Sequence, residues 1–255
     1  MDMNRVIHLA AEAGKIILQN GGETYRVEET INRICTAYGL KDADSYVTPT
    51  GIMISATDTA GITTSLVKRI KNRTVNLEKI ALVNDISRRI EPEKLEVDYV
   101  FSELQKISEK KRYGAITTLF FSAVTTSFFT LLFGGNFYDF LVSFFIGMIL
   151  ETFIILLSKV SINDFIINVI GGAVAALFAL LSTKIGLATN VDKIIIGSIM
   201  LLVPGLTITN AIRDTIAGDF VSGVSRGTDA LLIAVAIAVG SGTVLKLWFT
   251  YFGGF

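Results

Sequence analysis

Two stretches of this chain carry residues that could do chemistry inside a membrane. Glu151 is an acidic side chain deep within the apolar run FYDFLVSFFIGMILETFIILLS, and LLVPGLTITNAIRD at 201–214 interrupts another apolar run with Pro204-Gly205 before turning polar at Thr207, Thr209, Asn210, Arg213 and Asp214. A carboxyl within a span is expensive, about 2.5–3.5 kcal/mol for Asp on the lenient insertion scale, and such groups face a bundle interior or a water-filled path. Proline removes the amide that would bond the carbonyl four residues earlier, and glycine lets another backbone or a ligand come close. Non-helical backbone at that depth survives where protein buries it or where it lines a cavity, and transporters build sites from such interrupted helices. The chemistry suggested is the handling of a small polar solute. Freed backbone at Pro204-Gly205, with Thr207 and Asn210, offers hydrogen bonds. Arg213 is a fixed charge that would draw a carboxylate, and Asp214 continues the polar stripe. Glu151 shares a face with Ser143 and Gly147 at spacing four. It is the candidate proton carrier, because apolar surroundings favour the neutral form of a carboxyl. The plainer alternatives are a structural carboxyl, a proline kink that serves packing, and interfacial snorkelling of the stripe.

The elements that must position these residues follow from composition. Hydrophobic residues make up 51% of the 255-residue chain, which points to an integral membrane protein. Residues 1–112 hold 17 Lys/Arg and 16 Asp/Glu, whereas residues 113–255 hold 6 and 7, so a charged globular region precedes an apolar one. The zero net charge gives no sign of nucleic-acid binding. Apolar segments near 113–133, 137–158, 165–183, 192–212 and 228–251 each approach the roughly 20 residues needed to cross the hydrocarbon. The expected fold is therefore a five-helix transmembrane domain over 113–255, preceded by a small cytoplasmic α/β domain over 1–112. Lys110, Lys111, Arg112, Lys159, Arg213 and Arg226 fall on one side and Lys184 and Lys193 on the other, which places the N-terminus in the cytoplasm and the C-terminus outside. Counted along the second and fourth segments, Glu151 and Pro204 reach nearly the same depth.

Within the soluble region, helices are expected up to Gly21-Gly22, over 24–38, from an Asn76 cap to Ile90, and from Pro92 to 112. Residues 45–70 are rich in β-branched residues and read as strands, with DTAG at 58–61 as a hairpin turn. The N-terminal stretch reads as an amphipathic helix and not as a signal peptide. Cys35 is the single cysteine and lies on an apolar face; His8 is the single histidine and reads as a surface side chain, so no metal site and no cofactor is expected. A Walker motif is absent from the sequence. Asp139 and Asp219 faintly resemble a protease aspartate pair, but the expected topology holds them apart, and the chain is not read as an enzyme. Small or hydroxyl residues recur at Thr118, Ser122, Thr126 and Thr130, at Gly171, Ala175 and Ala179, and at Ala234, Ala238 and Gly242. Their favoured role is close helix packing, in more seams than one bundle needs, so an oligomer is expected.

Three motifs add a family resemblance that covers essentially the whole chain. QNGGETYRVEETINRICTAYGL at 19–40, TPTGIMISATD at 48–58 and VPGLTITNAIRD at 203–214 resemble, in order, those of the threonine/serine exporter (ThrE) family. The length is similar to that of the family's split-subunit, YjjP-like type. That resemblance implies a secondary transporter in the bacterial inner membrane, driven by an ion gradient and working beside a small all-membrane YjjB-like partner. The implied cargo is threonine, serine or a dicarboxylate such as succinate. It also makes Glu23, Arg26 and Glu28 notable. Glu23 and Arg26 stand one turn apart and can pair, contact the membrane part, or form a solvated face. The competing reading is a membrane-anchored regulatory or scaffolding module.

Overall fold

Helix α1 (Met3–Gln19) buries Val6, Leu9, Ala10, Ala13 and Ile17, the face that its apolar spacing predicts. It stops at Gly21, whose φ of +94° is open to glycine at little cost. At Gly22 an added Cβ would overlap the Ile17 side chain, so the turn into α2 (Thr24–Ala37) needs two glycines for two different reasons. A three-stranded antiparallel sheet follows, in the order β1 (Asp42–Thr48), β2 (Gly51–Thr57), β3 (Thr63–Arg69). Its β2 side chains Ile52, Ile54 and Ala56 alternate into the core. Helix α3 (Leu77–Glu93) begins as expected at Asn76, whose side chain accepts from the Lys79 amide.

This computed structural model describes residues 3–40, 42–57, 61–111, 113–160 and 162–253. Residues 58–60 of the expected DTAG turn, the flanking Arg112 and the final Phe255 lie outside the described residues.

One boundary is corrected. Pro92 does not open the fourth helix; it sits in the last turn of α3, and α4 runs from Val97 to Glu109. A proline there forfeits one helical bond, and the helix closes two residues later at Lys94 in the left-handed region, whose amide meets the carbonyls of Ile90 and Glu91.

Among the described residues, four helices are long and apolar enough to cross a membrane: α5 (Ala115–Leu132), α6 (Phe137–Ser158), α7 (Asp164–Lys184) and α10 (Phe220–Phe252). The fourth of the five expected spans, 192–212, is not one helix. It divides into α8 (Val191–Ile199) and α9 (Gly205–Ile216), separated by Met200–Pro204. Pro204 has no amide for the Met200 carbonyl, so the ladder ends where the sequence placed the interruption.

The chain forms two compact units, Met1–Arg112 with Leu206–Thr228, and Tyr113–Gly205 with Asp229–Phe255. A division at 112/113 was expected; the 206–228 segment instead groups with the N-terminal residues. In the first unit the core lies among α1, α2, the sheet, α3 and α4, and includes Cys35, whose burial pushes its thiol up to about 11. There α9 and the start of α10 form a tight hairpin around Gly218, φ +96°. A Cβ at Gly223 would overlap Thr215 Oγ1, so the two helices touch nearly backbone to backbone.

In the second unit α5 and α6 share a close seam. Thr126 Oγ1 donates to the Ser143 carbonyl at 2.8 Å, Thr130 Oγ1 bonds Ser143 Oγ at 2.7 Å, and a Cβ at Gly147 would overlap Thr126. The hydroxyl stripe Ser122–Thr126–Thr130 is thus spent on packing, whereas Thr118 is half-buried and bonds the Gly114 carbonyl of its own helix start. Asp139, fully buried, accepts from the amides of Asn136, Thr189 and Asn190 and from the Asn190 side chain, tying the start of α6 to the start of α8. Further along both helices, Leu150 and Leu202 share one apolar cluster with Val174 and Ile237. Helices α6 and α8 therefore run the same way, and the interruption after α8 lies level with Glu151. Of the small-residue stripes, Ala175 and Ala179 on α7 are buried inside the unit, while Ala234, Ala238 and Gly242 on α10 are exposed.

Candidate functional site

The first unit gathers the charged residues of the 19–40 motif around the α9–α10 hairpin. The glycine turn presents carbonyls with no helical partner, and both are used. Asn210 Nδ2 donates to the Gly21 carbonyl at 2.8 Å, and an Arg226 terminal nitrogen donates to the Gly22 carbonyl at 2.8 Å. Glu23, at the N-cap of α2, makes no capping bond with its side chain. Its carboxylate lies between two guanidinium groups instead, 2.8 Å from Arg26 Nε and 2.6 Å from an Arg213 terminal nitrogen. Burial alone would raise the Glu23 carboxyl. Hydrogen bonds from Arg26, its own backbone and Arg213 outweigh burial and hold it below the usual carboxylate range.

Deeper in the same cluster, Asp214 is fully buried. Its Oδ1 accepts from the Thr24 hydroxyl at 2.9 Å, and its Oδ2 lies 2.9 Å from Nε of the buried Arg226. The Thr24 hydroxyl is also 3.0 Å from Asp219 Oδ2. Glu28, one turn after Thr24, accepts the Val47 amide at 3.0 Å, while the Ser222 hydroxyl reaches the Val47 carbonyl at 3.5 Å. Glu28 is held above the usual range, by burial first and then by the charges of Asp219 and Asp214, against the Val47 amide, which favours the ionised form.

The structure thus brings together Glu23, Arg26, Glu28, Asn210, Arg213 and Asp214, which the sequence had placed in two separate motifs. Asn210 and Asp214 spend their polar groups on the 21–24 turn; Arg213 pairs with Glu23 yet keeps a side chain 54% exposed. Thr207 is half-buried on the same helix. In the other unit Pro204 is half-buried and Gly205 exposed, and half-buried Glu151 accepts from Ser122 Oγ at 3.0 Å. Sequence reasoning missed Thr24, Asp219 and Arg226 as members of the cluster. Thr24 lay within the quoted motif, but nothing local to the other two signals partners about 200 residues earlier. Asp139 and Asp219, the faint aspartate pair, are each engaged with other residues, Asn190 and Thr24.

Apolar helices of spanning length point to a helical membrane protein, whose first unit carries a cluster of carboxylates and guanidinium groups. The family model described as "Putative threonine/serine exporter" matches residues 8–248, and the chain belongs to that family, the ThrE family, which is a family of transporters. No curated protein and no solved structure matches the chain.

Proposed function

We propose that the chain is a subunit of a secondary transporter that exports small carboxylate-bearing metabolites, threonine and serine or a dicarboxylate such as succinate, with proton coupling. The observation that carries this reading is Arg213. It already holds a carboxylate, its side chain is half-exposed, and the carboxylate it holds has a second guanidinium partner in Arg26. A solute carboxylate can take the place of Glu23 on Arg213 while Glu23 stays paired with Arg26. Thr207, half-buried on the same helix, supplies a further hydrogen bond.

The setting proposed is the inner (plasma) membrane of a bacterial cell, with the N-terminal unit in the cytoplasm. The short helix α8 and the turn that follows it make the fourth of five crossings, which puts the C-terminus outside; the shared direction of α6 and α8 supports this reading. A small all-membrane YjjB-like subunit completes the path.

Flux of labelled serine, threonine and succinate in vesicles holding both subunits tests the proposal. Arg213→Gln is expected to lower substrate uptake from the cytoplasmic face by about tenfold, the worth of one charge-assisted hydrogen bond. Flux of none of the three under any gradient would instead favour a regulatory or scaffolding module.

Assembly is proposed to use the uncovered face of α10. Ala238→Leu is expected to shift the detergent-solubilised protein to a smaller species with its fold retained. Ala175→Leu, at a fully buried position within the chain, is expected to cost about 1–3 kcal/mol of stability. An unchanged size for Ala238→Leu in analytical ultracentrifugation removes that face from the interface.

A further inference from the structure

The sheet of the first unit has two edges, and the chain closes only one of them. In an antiparallel ladder, alternate residues of an edge strand turn their amide and carbonyl away from the neighbouring strand. On β1 these are Ala43, Ser45 and Val47. At Val47 side chains meet both groups: the Glu28 carboxylate accepts the amide at 3.0 Å, and the Ser222 hydroxyl reaches the carbonyl at 3.5 Å. On β3 the Ile70 amide bonds the Thr50 carbonyl, which fixes the parity. Leu66 and Lys68 bond inward to β2, and Ser65, Val67 and Arg69 turn their backbone groups outward. Among the described residues no backbone or side-chain group bonds those outward groups.

Strand β3 also lacks the features that blunt an edge: a proline, a bulge or an outward lysine. Its seven residues hold no proline and pair with β2 in unbroken register. Its lysine, Lys68, lies on the helix-covered face, 3.4 Å from Glu12 of α1. The opposite face of the sheet is uncovered. Tyr46, Met53 and Val67 stand there in one cross-strand row, each at least half exposed. That face is polarised as well. Exposed Asp42 and Asp44 lie at one end of it on β1, and exposed Arg69 lies at the opposite end on β3, with exposed Lys71 two residues further on.

We propose that β3 docks on β3 of a second copy of this chain, antiparallel about a two-fold axis at Val67. Only a residue whose amide and carbonyl both turn outward can exchange both bonds with its own counterpart, and Val67 is the middle one of the three. The register sets Ser65 against the second copy's Arg69, and Leu66 against its Lys68, so no like charges stand opposite. The charges are complementary on a longer scale too. Arg69 of each copy extends the row that Asp44, Ser55 and Ser65 form in the other, so the basic end of one face adjoins the acidic end of its neighbour. A parallel pairing would instead bring the two Arg69 ends together. Tyr46, Met53 and Val67 of the two three-stranded sheets become one continuous apolar row. Copies confined to one membrane meet at high effective concentration, so a short ladder suffices. The inference does not depend on what the chain transports.

Cysteine cross-linking of the full-length protein in proteoliposomes tests it, with copper phenanthroline as the oxidant. Val67→Cys is expected to give about tenfold more disulfide-linked dimer than Tyr46→Cys or Met53→Cys, because only the Val67 positions come within disulfide reach of each other. At the strand spacing, Tyr46 and Met53 lie about 24 Å and about 14 Å from their counterparts. Ser65→Cys mixed with Arg69→Cys should link, and neither should link alone. Adding Val67→Pro to that mixture should abolish the link, because proline brings no amide to the new ladder while the bonds of β3 to β2 stay in place. The native Cys35 is buried, so its failure to react with maleimide shows that a variant is folded. Face-to-face stacking of two sheets would link Tyr46→Cys or Met53→Cys as readily as Val67→Cys, and that result overturns the proposal. So do an unlinked Val67→Cys in folded protein, self-linking of Ser65→Cys, and a mixed link that survives Val67→Pro.

Discussion

Asp214→Ala is expected to destabilise the first unit by about 3–5 kcal/mol, the usual cost of removing one partner from a buried ion pair. The side chain is fully buried, and the loss takes a carboxylate from beside the guanidinium of Arg226, itself 7% exposed. It also removes the acceptor for the Thr24 hydroxyl and weakens the hold of the hairpin on the glycine turn. The loss should appear as a lower midpoint of thermal unfolding and as early proteolytic cleavage within 206–228. Replacing both partners, Asp214→Leu with Arg226→Leu, should recover most of the stability, because no stranded charge remains. Arg213→Gln should fall within about 1 kcal/mol of wild type, since Arg213 is half-exposed and the buried Glu23 keeps Arg26. The contrast separates the two arginines: Arg226 holds the hairpin in place, and Arg213 is available to a solute. A loss below about 1 kcal/mol for Asp214→Ala would mean that Arg226 finds another acceptor.

Glu151→Gln is expected to abolish accumulation of substrate driven by a pH gradient while leaving exchange of substrate for substrate intact. The amide oxygen of glutamine can still accept from Ser122 Oγ, now 3.0 Å from the carboxylate, so the seam of α5 with α6 should survive. What disappears is a titratable group next to Leu150, which shares an apolar cluster with Leu202 of the Met200–Pro204 interruption. Glutamine keeps the Ser122 contact without an ionisable group in the span, so the variant should be at least as stable as wild type. Loss of coupling without loss of stability is therefore a clean readout, measured as labelled-solute uptake with and without an imposed pH difference. Full pH-driven accumulation in Glu151→Gln would reduce this carboxyl to a structural role.

Much of the layout was legible in the sequence because it depends on neighbours along the chain. The Val6–Ile17 stripe, the stop at Gly21-Gly22, the Asn76 cap and the long apolar runs each express a preference for backbone hydrogen bonding or for the burial of one face, and these act within a few residues. The interruption at Pro204 belongs to the same class, since a missing amide ends a helix wherever it lies. Three things were decided only by tertiary structure. The hydroxyl stripe of α5 closed against α6, because Gly147 leaves room for Thr126 there. The stripe of Asn210 and Asp214 turned out to be anchored to the 21–24 turn, 189 and 190 residues earlier in the chain. Arg226, counted in the sequence only as a loop charge, became the partner of a buried aspartate. Periodicity states which face of a helix is polar but not what will meet it. A buried donor or acceptor must find a partner wherever the fold supplies one, and that choice is made by the packing of distant segments.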